Sequence, residues 1–248
     1  MAWLQCRFYS EVLEIDTSFQ AIIPEGGEGP WPTLYLLHGL SDDESGWCRM
    51  TSIERYARQY QLAVIMPACG RGYYTDMVHG PNWYEFLTQE VPRVAGRLFP
   101  LSHKRQDTFV AGLSMGGYGA FKWALNEPER FAAAASLSGS LDILAVQKRK
   151  TAPSDFINIF GETDPSGTSG DLLALVKHAS LNISELPRLY QWCGTEDHLY
   201  SVNVAFRDAA RERGLALDYS EAPGDHDWRY WDEQIARVLA WLPLRKQH

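Results

Sequence analysis

Phe109-Val110-Ala111-Gly112-Leu113-Ser114-Met115-Gly116-Gly117-Tyr118-Gly119-Ala120 joins an apolar run, a Gly-x-Ser-x-Gly and a small-residue helical start. That order describes a strand turning sharply into a helix, with Ser114 at the corner. The corner forces the serine into a sparsely populated backbone conformation, a strain found mostly where function exploits it. Gly112 and Gly116 carry no Cβ, so strand and helix can approach each other closely. The hydroxyl then stands above the sheet, with the helix's first amides pointing toward it. The β-formers Thr108, Phe109 and Val110 precede the motif. A helical stretch closed by Glu127-Pro128 follows it, and these flanks are what the motif requires.

Other short apolar runs bounded by glycine or proline lie at 33–37, 62–66, 131–137 and 189–192. They are continuous rather than alternating, the pattern of strands buried on both faces of a parallel sheet. Helical patterns fall between and beyond them, at 52–60, 83–98, 117–126, 202–213 and 228–242. In the last, Trp231, Ile235, Val238, Leu239 and Leu242 recur at helical spacing. Strand and helix in alternation predict an α/β fold of right-handed βαβ units. Segments 4–9 and 12–23 read instead as two β segments joined by a tight turn, an antiparallel edge added to the parallel sheet. Residues 139–182 break the rhythm with Pro153, Gly161, Pro165, Gly167 and Gly170, and hold one helical stretch at 171–179. This segment emerges where ligands bind in open α/β sheets. It is expected to be a small cap on one domain spanning 1–248.

The 248 residues, 45% of them hydrophobic, suffice for such a core. A net charge of −8 leaves no basic stripe for phosphates and argues against nucleic acid. His103-Lys104-Arg105 and Lys148-Arg149-Lys150 read as solvated loop faces. Cys6, Cys48, Cys69 and Cys193 are far apart and form no C-x-x-C pair, so no metal is expected. No basic, apolar leader and no run of roughly 18 apolar residues is present, which predicts a cytoplasmic protein without a membrane partner. A homo-oligomer stays open.

A serine is a weak nucleophile at neutral pH and needs a base, which needs an orienting acid. On this fold the chain order is Ser, then Asp or Glu, then His, each after a later strand. His38, His79 and His103 precede Ser114, His178 falls in a helix, and His248 ends the chain. His226 lies in Gly224-Asp225-His226-Asp227-Trp228, after a β-like segment and just before a helix. It is the expected base. His198 follows the earlier strand, where the acid belongs, and Asp197 is the expected acid with Glu196 as rival. The amide of Met115, next to the nucleophile, should bind an oxyanion, joined by one from the Gly39-Leu40 region. His38 is expected to hold loop backbone beneath the site.

Leu37-His38-Gly39-Leu40, Gly112-Leu113-Ser114-Met115-Gly116-Gly117-Tyr118-Gly119, Gly194-Thr195-Glu196-Asp197 and Gly224-Asp225-His226-Asp227-Trp228 together resemble the esterase D-like branch of the α/β-hydrolases, and within it the tributyrin esterases. Gly72-Tyr73-Tyr74-Thr75-Asp76 and Leu137-Ser138-Gly139-Ser140-Leu141 are similar too, so the resemblance spans about 34–228. It implies a metal-independent, cofactor-free carboxylesterase acting on small short-chain acyl esters. It implies Ser114, Asp197 and His226 as triad, with Leu40 and Met115 supplying the oxyanion amides. S-formylglutathione hydrolases of the branch usually carry Thr-Cys after His-Gly-Leu, whereas this chain has Ser41-Asp42. Carbohydrate acetyl or feruloyl esterases and acyltransferases share the scaffold and stay open as alternatives.

For substrate contacts the candidates are Trp47, Tyr73, Trp83 and Trp228, with Tyr74 and Tyr84 nearby in sequence. An aromatic lining suits a short acyl chain, a feruloyl group or a sugar face. Asp42, Asp43 and Glu44 follow the oxyanion loop and should disfavour anionic substrates.

Overall fold

The computed structural model describes residues 1–27, 29–148, 153–178 and 181–244. Eight strands form one sheet: β1 (Ala2–Ser10), β2 (Ile15–Ile23), β3 (Thr33–Leu37), β4 (Ala63–Pro67), β5 (Thr108–Leu113), β6 (Ala133–Leu137), β7 (Arg188–Gly194) and β8 (Leu217–Ala222). Their order is β1-β2-β4-β3-β5-β6-β7-β8. β1 pairs antiparallel with β2, and β2 antiparallel with β4, while the remaining pairs are parallel. The architecture is an α/β-hydrolase fold with the antiparallel N-terminal edge that the sequence suggests.

Helices α1 (Gly46–Met50), α2 (Ile53–Arg58), α3 (Trp83–Glu85), α4 (Val91–Leu98), α5 (Met115–Asn126), α6 (Ile143–Gln147), α7 (Pro153–Phe160), α8 (Leu172–Lys177), α9 (Tyr200–Arg213) and α10 (Trp228–Trp241) connect the strands. Successive side chains of a strand point to opposite faces, and the core divides accordingly. Leu34, Leu36, Phe109, Ala111 and Leu113 join Trp47, Ile53, Trp231 and Ile235 beneath the sheet. Tyr35, Leu37 and Val110 join Tyr118, Phe121, Leu172, Val176 and Phe206 on the other face. Every residue of β3, β4 and β6 is buried, as continuous apolar runs require.

The observed elements correct several boundaries. α5 starts at Met115 rather than 117, directly after Ser114. β6 starts at Ala133, with Phe131 buried in the preceding loop. The helix expected over 83–98 contains a wide turn, Phe86–Glu90, between α3 and α4. Residues 139–182 hold α6, α7 and α8 rather than one helix. Asp142 and Asp171 cap α6 and α8, their carboxylates accepting from Ala145 N and Ala174 N. Ala179, the expected end of the last helix, lies outside the described residues, as do Arg149, Lys150 and His248.

Helix α7 and the loop before α8 are tied to the rest of the molecule at several points. Phe156 packs on Tyr73 with ring centroids 5.3 Å apart. The Tyr118 hydroxyl donates to Gly170 O at 2.9 Å. Arg71 meets the Asp155 carboxylate through Nε (3.2 Å) and Nη2 (2.7 Å).

Candidate active site

Leu113, Leu137 and Trp192 lie in register near the carboxyl ends of β5, β6 and β7, and Leu37, the last residue of β3, lies opposite Gly112. That alignment gathers the loops that follow. Ser114 adopts φ 52°, ψ −117° between β5 and α5, a conformation worth about 1–3 kcal/mol of strain. Its amide donates to Leu137 O at 2.9 Å, which pins the corner to β6. A Cβ on Gly112 would stand 2.3 Å from Gly116 O, and one on Gly116 would stand 2.3 Å from Leu37 O. Both glycines are therefore fixed by contact with neighbouring backbone.

The β7 and β8 loops cross at two further glycines. A Cβ on Gly194 would meet Gly224 O at 2.2 Å. Across this crossing Thr195 N donates to Ala222 O (3.0 Å) and Glu196 N to Gly224 O (2.9 Å), while Gly224 N donates to the Glu196 carboxylate. Glu196 is thus committed to the loop backbone. Asp227 caps α10, accepting from Arg229 N, which sets His226 just ahead of the helix.

The result is a continuous hydrogen-bonded chain. His226 Nε2 lies 3.0 Å from Ser114 Oγ, and His226 Nδ1 lies 2.8 Å from Asp197 Oδ2. Asp197 is only 4% exposed. Burial pushes its carboxyl upward, but the hydrogen bond and charge of His226, the Leu199 amide and the Ser138 hydroxyl outweigh it. The acid is therefore held below the usual aspartate range and stays ionised at neutral pH. A hydroxyl so linked can lose its proton to the imidazole while attacking a carbonyl carbon.

Two side chains here were given no role at the site by the sequence. Ser138 is fully buried, at φ 49° just beyond β6. It accepts from Trp231 Nε1 at 3.1 Å, and its hydroxyl helps to lower the Asp197 carboxyl. Trp231 also packs edge-on against His226, with centroids 4.8 Å apart. A serine beyond a strand reads as an ordinary turn residue until Asp197 is seen beside it.

The first amides of α5, Met115 N among them, have no intrahelical acceptor. In the preceding loop Asp42 N closes a turn onto Gly39 O at 3.3 Å, and Leu40 is partly exposed within it. His38 supports this turn from below. Its Nε2 accepts from Cys69 N at 3.0 Å, so Nδ1 carries the proton and donates to Gly39 O at 2.8 Å. Burial pushes its pKa down, which keeps the ring neutral.

The aromatic candidates divide. Trp47 is fully buried, donates to Leu37 O at 3.0 Å and supports Trp228 edge-on. It has no surface to offer a substrate, which corrects the sequence reading. Tyr73, 4% exposed, is wedged between Tyr118 and Phe156. Trp83 and Trp228 are partly exposed, Trp83 lying over the Gly70–Gly72 backbone. Of the acidic trio, Glu44 turns inward to the Ser18 hydroxyl, and Asp43 accepts from Ser45 N at 2.8 Å. Arg71 places a cation beside them, Nη1 donating to Ser41 Oγ at 2.9 Å.

The sequence profile of the Esterase family ("Putative esterase") matches residues 10–242. The chain belongs to the Esterase family. An acetyl esterase of Caldicellulosiruptor saccharolyticus is 30% identical over 264 residues, 98% of each chain. Among solved structures, a fluorophosphonate-binding serine hydrolase of Staphylococcus aureus superposes with TM-score 0.92 at 35% identity, covering 98% of each chain. An S-formylglutathione hydrolase of the same organism superposes at 0.87, with 35% identity and the same coverage. This Esterase family member is a serine-type carboxylic ester hydrolase. All four cysteines are free thiols. Among the described residues no helix is long and apolar enough to cross a membrane.

Proposed function

We propose that the protein hydrolyses small, short-chain acyl esters through Ser114, His226 and Asp197. The observation that carries this is the linkage of hydroxyl, imidazole and buried carboxylate at 3.0 and 2.8 Å. Ser114 Oγ attacks the ester carbonyl while His226 Nε2 takes its proton. Asp197 holds the ring with Nδ1 protonated and stabilises the cation that forms. The amides of Met115 and Leu40 receive the oxyanion. His226 returns the proton to the departing alcohol, and water then cleaves the acyl-enzyme by the same steps in reverse. No metal or cofactor takes part. The acetyl esterase relative supports a short acyl group. Trp228 and Trp83 are the exposed aromatic surfaces for its alcohol part, and residues 139–182 form the cap over the site.

The test is hydrolysis of p-nitrophenyl esters of increasing acyl length by wild type and Ser114→Ala. Wild type should prefer acetyl to butyryl esters, and the variant should lose about 10³–10⁶ in turnover. Persistent activity in the variant removes the mechanism, and a long-chain preference removes the substrate class.

A second reading, S-formylglutathione hydrolysis, is favoured by the 35% identity to the staphylococcal enzyme. Ser41-Asp42 in place of Thr-Cys and the acidic turn weigh against an anionic thioester. The ratio of kcat/KM for S-formylglutathione to that for p-nitrophenyl acetate decides between them.

A further inference from the structure

His198 stands outside the proton path yet touches it. Its ring packs edge-on against His226 with centroids 4.4 Å apart. Its Nδ1 lies 3.6 Å from Asp197 Oδ1, and its side chain is 61% exposed. The Asp197 carboxylate thus meets both imidazoles, its other oxygen, Oδ2, lying 2.8 Å from His226 Nδ1. One donor atom from each of the three residues falls within a 4.8 Å cluster.

We propose that Asp197, His198 and His226 form an inhibitory site for a divalent transition cation of the zinc class. Zinc holds nitrogen and carboxylate oxygen at about 2.0–2.2 Å, which puts tetrahedral donors about 3.4 Å apart. The gaps of 3.6 Å from Asp197 Oδ1 to His198 Nδ1 and 2.8 Å from Oδ2 to His226 Nδ1 lie on either side of that spacing, so a small side-chain adjustment brings the three donors to it. Two imidazoles and one carboxylate select zinc-like ions over magnesium or calcium. The donor set is also held in place. Leu199 N donates to Asp197 Oδ1 at 2.7 Å, and Trp231 packs edge-on against the His226 ring. Such supporting contacts orient ligands for a metal. Solvent, on the His198 side, supplies the fourth ligand.

The consequence for catalysis is a tautomer change, and it rests on the triad reading above. The metal bonds to the Nδ1 lone pair of His226, so the Nδ1 proton leaves to solvent and Nε2 takes one up. The ring stays neutral overall. Nε2, now bearing hydrogen, has no lone pair for the Ser114 proton, and the nucleophile is not activated. Removing the cation restores the Nδ1–H form.

Two measurements test this. Micromolar zinc should inhibit p-nitrophenyl acetate hydrolysis by wild type, reversibly with EDTA, while magnesium should not. His198→Ala should raise the zinc inhibition constant at least about tenfold and leave kcat/KM without zinc within about threefold. Cobalt(II) added to Ser114→Ala should give the visible absorption of a nitrogen-ligated tetrahedral ion, lost in Ser114→Ala/His198→Ala. Equal zinc inhibition of wild type and His198→Ala overturns the proposal, as does the absence of the cobalt band from Ser114→Ala. The cobalt experiment needs no turnover, so it reads the metal site even if the esterase reading fails.

Discussion

Two buried positions bear on whether Ser114 can work, one through the lack of a side chain and one through a hydroxyl. Gly112 faces Gly116 O at a distance no Cβ can occupy. The obstacle is backbone in a close-packed corner, so it cannot swing aside as a flexible side chain would. Gly112→Ala should therefore cost about 3 kcal/mol or more, read as the loss in urea unfolding free energy. A variant as stable as wild type would mean the corner is looser than its contacts indicate. Ser138 acts differently, through Asp197. Ser138→Ala keeps the fold but removes the hydroxyl that helps to lower the Asp197 carboxyl and leaves Trp231 Nε1 without its acceptor. Such a loss is worth about 1–3 kcal/mol for a charged group, and about 1.4 kcal/mol of it felt in the transition state gives a tenfold fall in kcat. KM should hold, because the contact orients the base rather than the substrate. A KM change at constant kcat would assign Ser138 to binding instead. Of these residues Gly112, Gly116 and Ser114 were legible in the sequence, because a local motif encodes a local collision. Asp197 and His226 were legible through chain order. Ser138 was not, because its partner lies 59 residues further on and no local pattern links them.

Between residues and molecule, α5 shows what an element adds. Its apolar start fits the motif, but Lys122 sits on the same buried helix, only 3% exposed. Its ammonium donates to Tyr74 O at 3.1 Å and Thr75 Oγ1 at 2.8 Å, and lies 4.7 Å from the Tyr84 ring centroid. Desolvation by burial lowers its pKa to about 7. The unfolded chain keeps the amine near about 10.4, so between those values it binds more protons than the native state. Stability contributed at this site therefore rises with pH over that window and is lowest at and below pH 7. The urea midpoint of wild type relative to Lys122→Met should climb between pH 7 and pH 10. A flat or falling difference would show that the ammonium is charged throughout. The helices flanking the site explain one misreading: Trp47 in α1 and Trp228 at the start of α10 look alike in sequence, yet only Trp228 reaches the surface. Aromatic content reports nothing about which ring lies on top. The wide turn at Phe86–Glu90 was equally invisible, because its apolar spacing passes for an ordinary helix.

At the scale of the whole molecule, one guanidinium joins α7, in the proposed cap, to the Gly39–Asp42 turn proposed to bind the oxyanion. Arg71 lies in the loop after β4, grips Asp155 of α7 with two nitrogens and donates to Ser41 with a third. Ser41 has φ 72°, directly after Leu40. A turn held in that conformation needs outside support, and Arg71 supplies it while fixing the cap helix. The pair is half exposed, so its contribution to global stability is small, about 0.2–1 kcal/mol after screening. Its effect on the site should be larger than its effect on folding. Arg71→Met should leave the urea midpoint nearly unchanged and lower kcat on p-nitrophenyl acetate about fivefold, which is about 1 kcal/mol of lost oxyanion stabilisation. Amide exchange over Phe156–Phe160 should quicken at the same time, because the cap has lost its anchor to the sheet. Arg71→Lys should not rescue either property, since a point charge cannot span a carboxylate and a hydroxyl together. If Arg71→Met turns over esters at the wild-type rate while the cap exchanges faster, then cap and oxyanion turn are independent. The Leu40 amide would then be positioned by the Gly39–Asp42 turn and His38 alone.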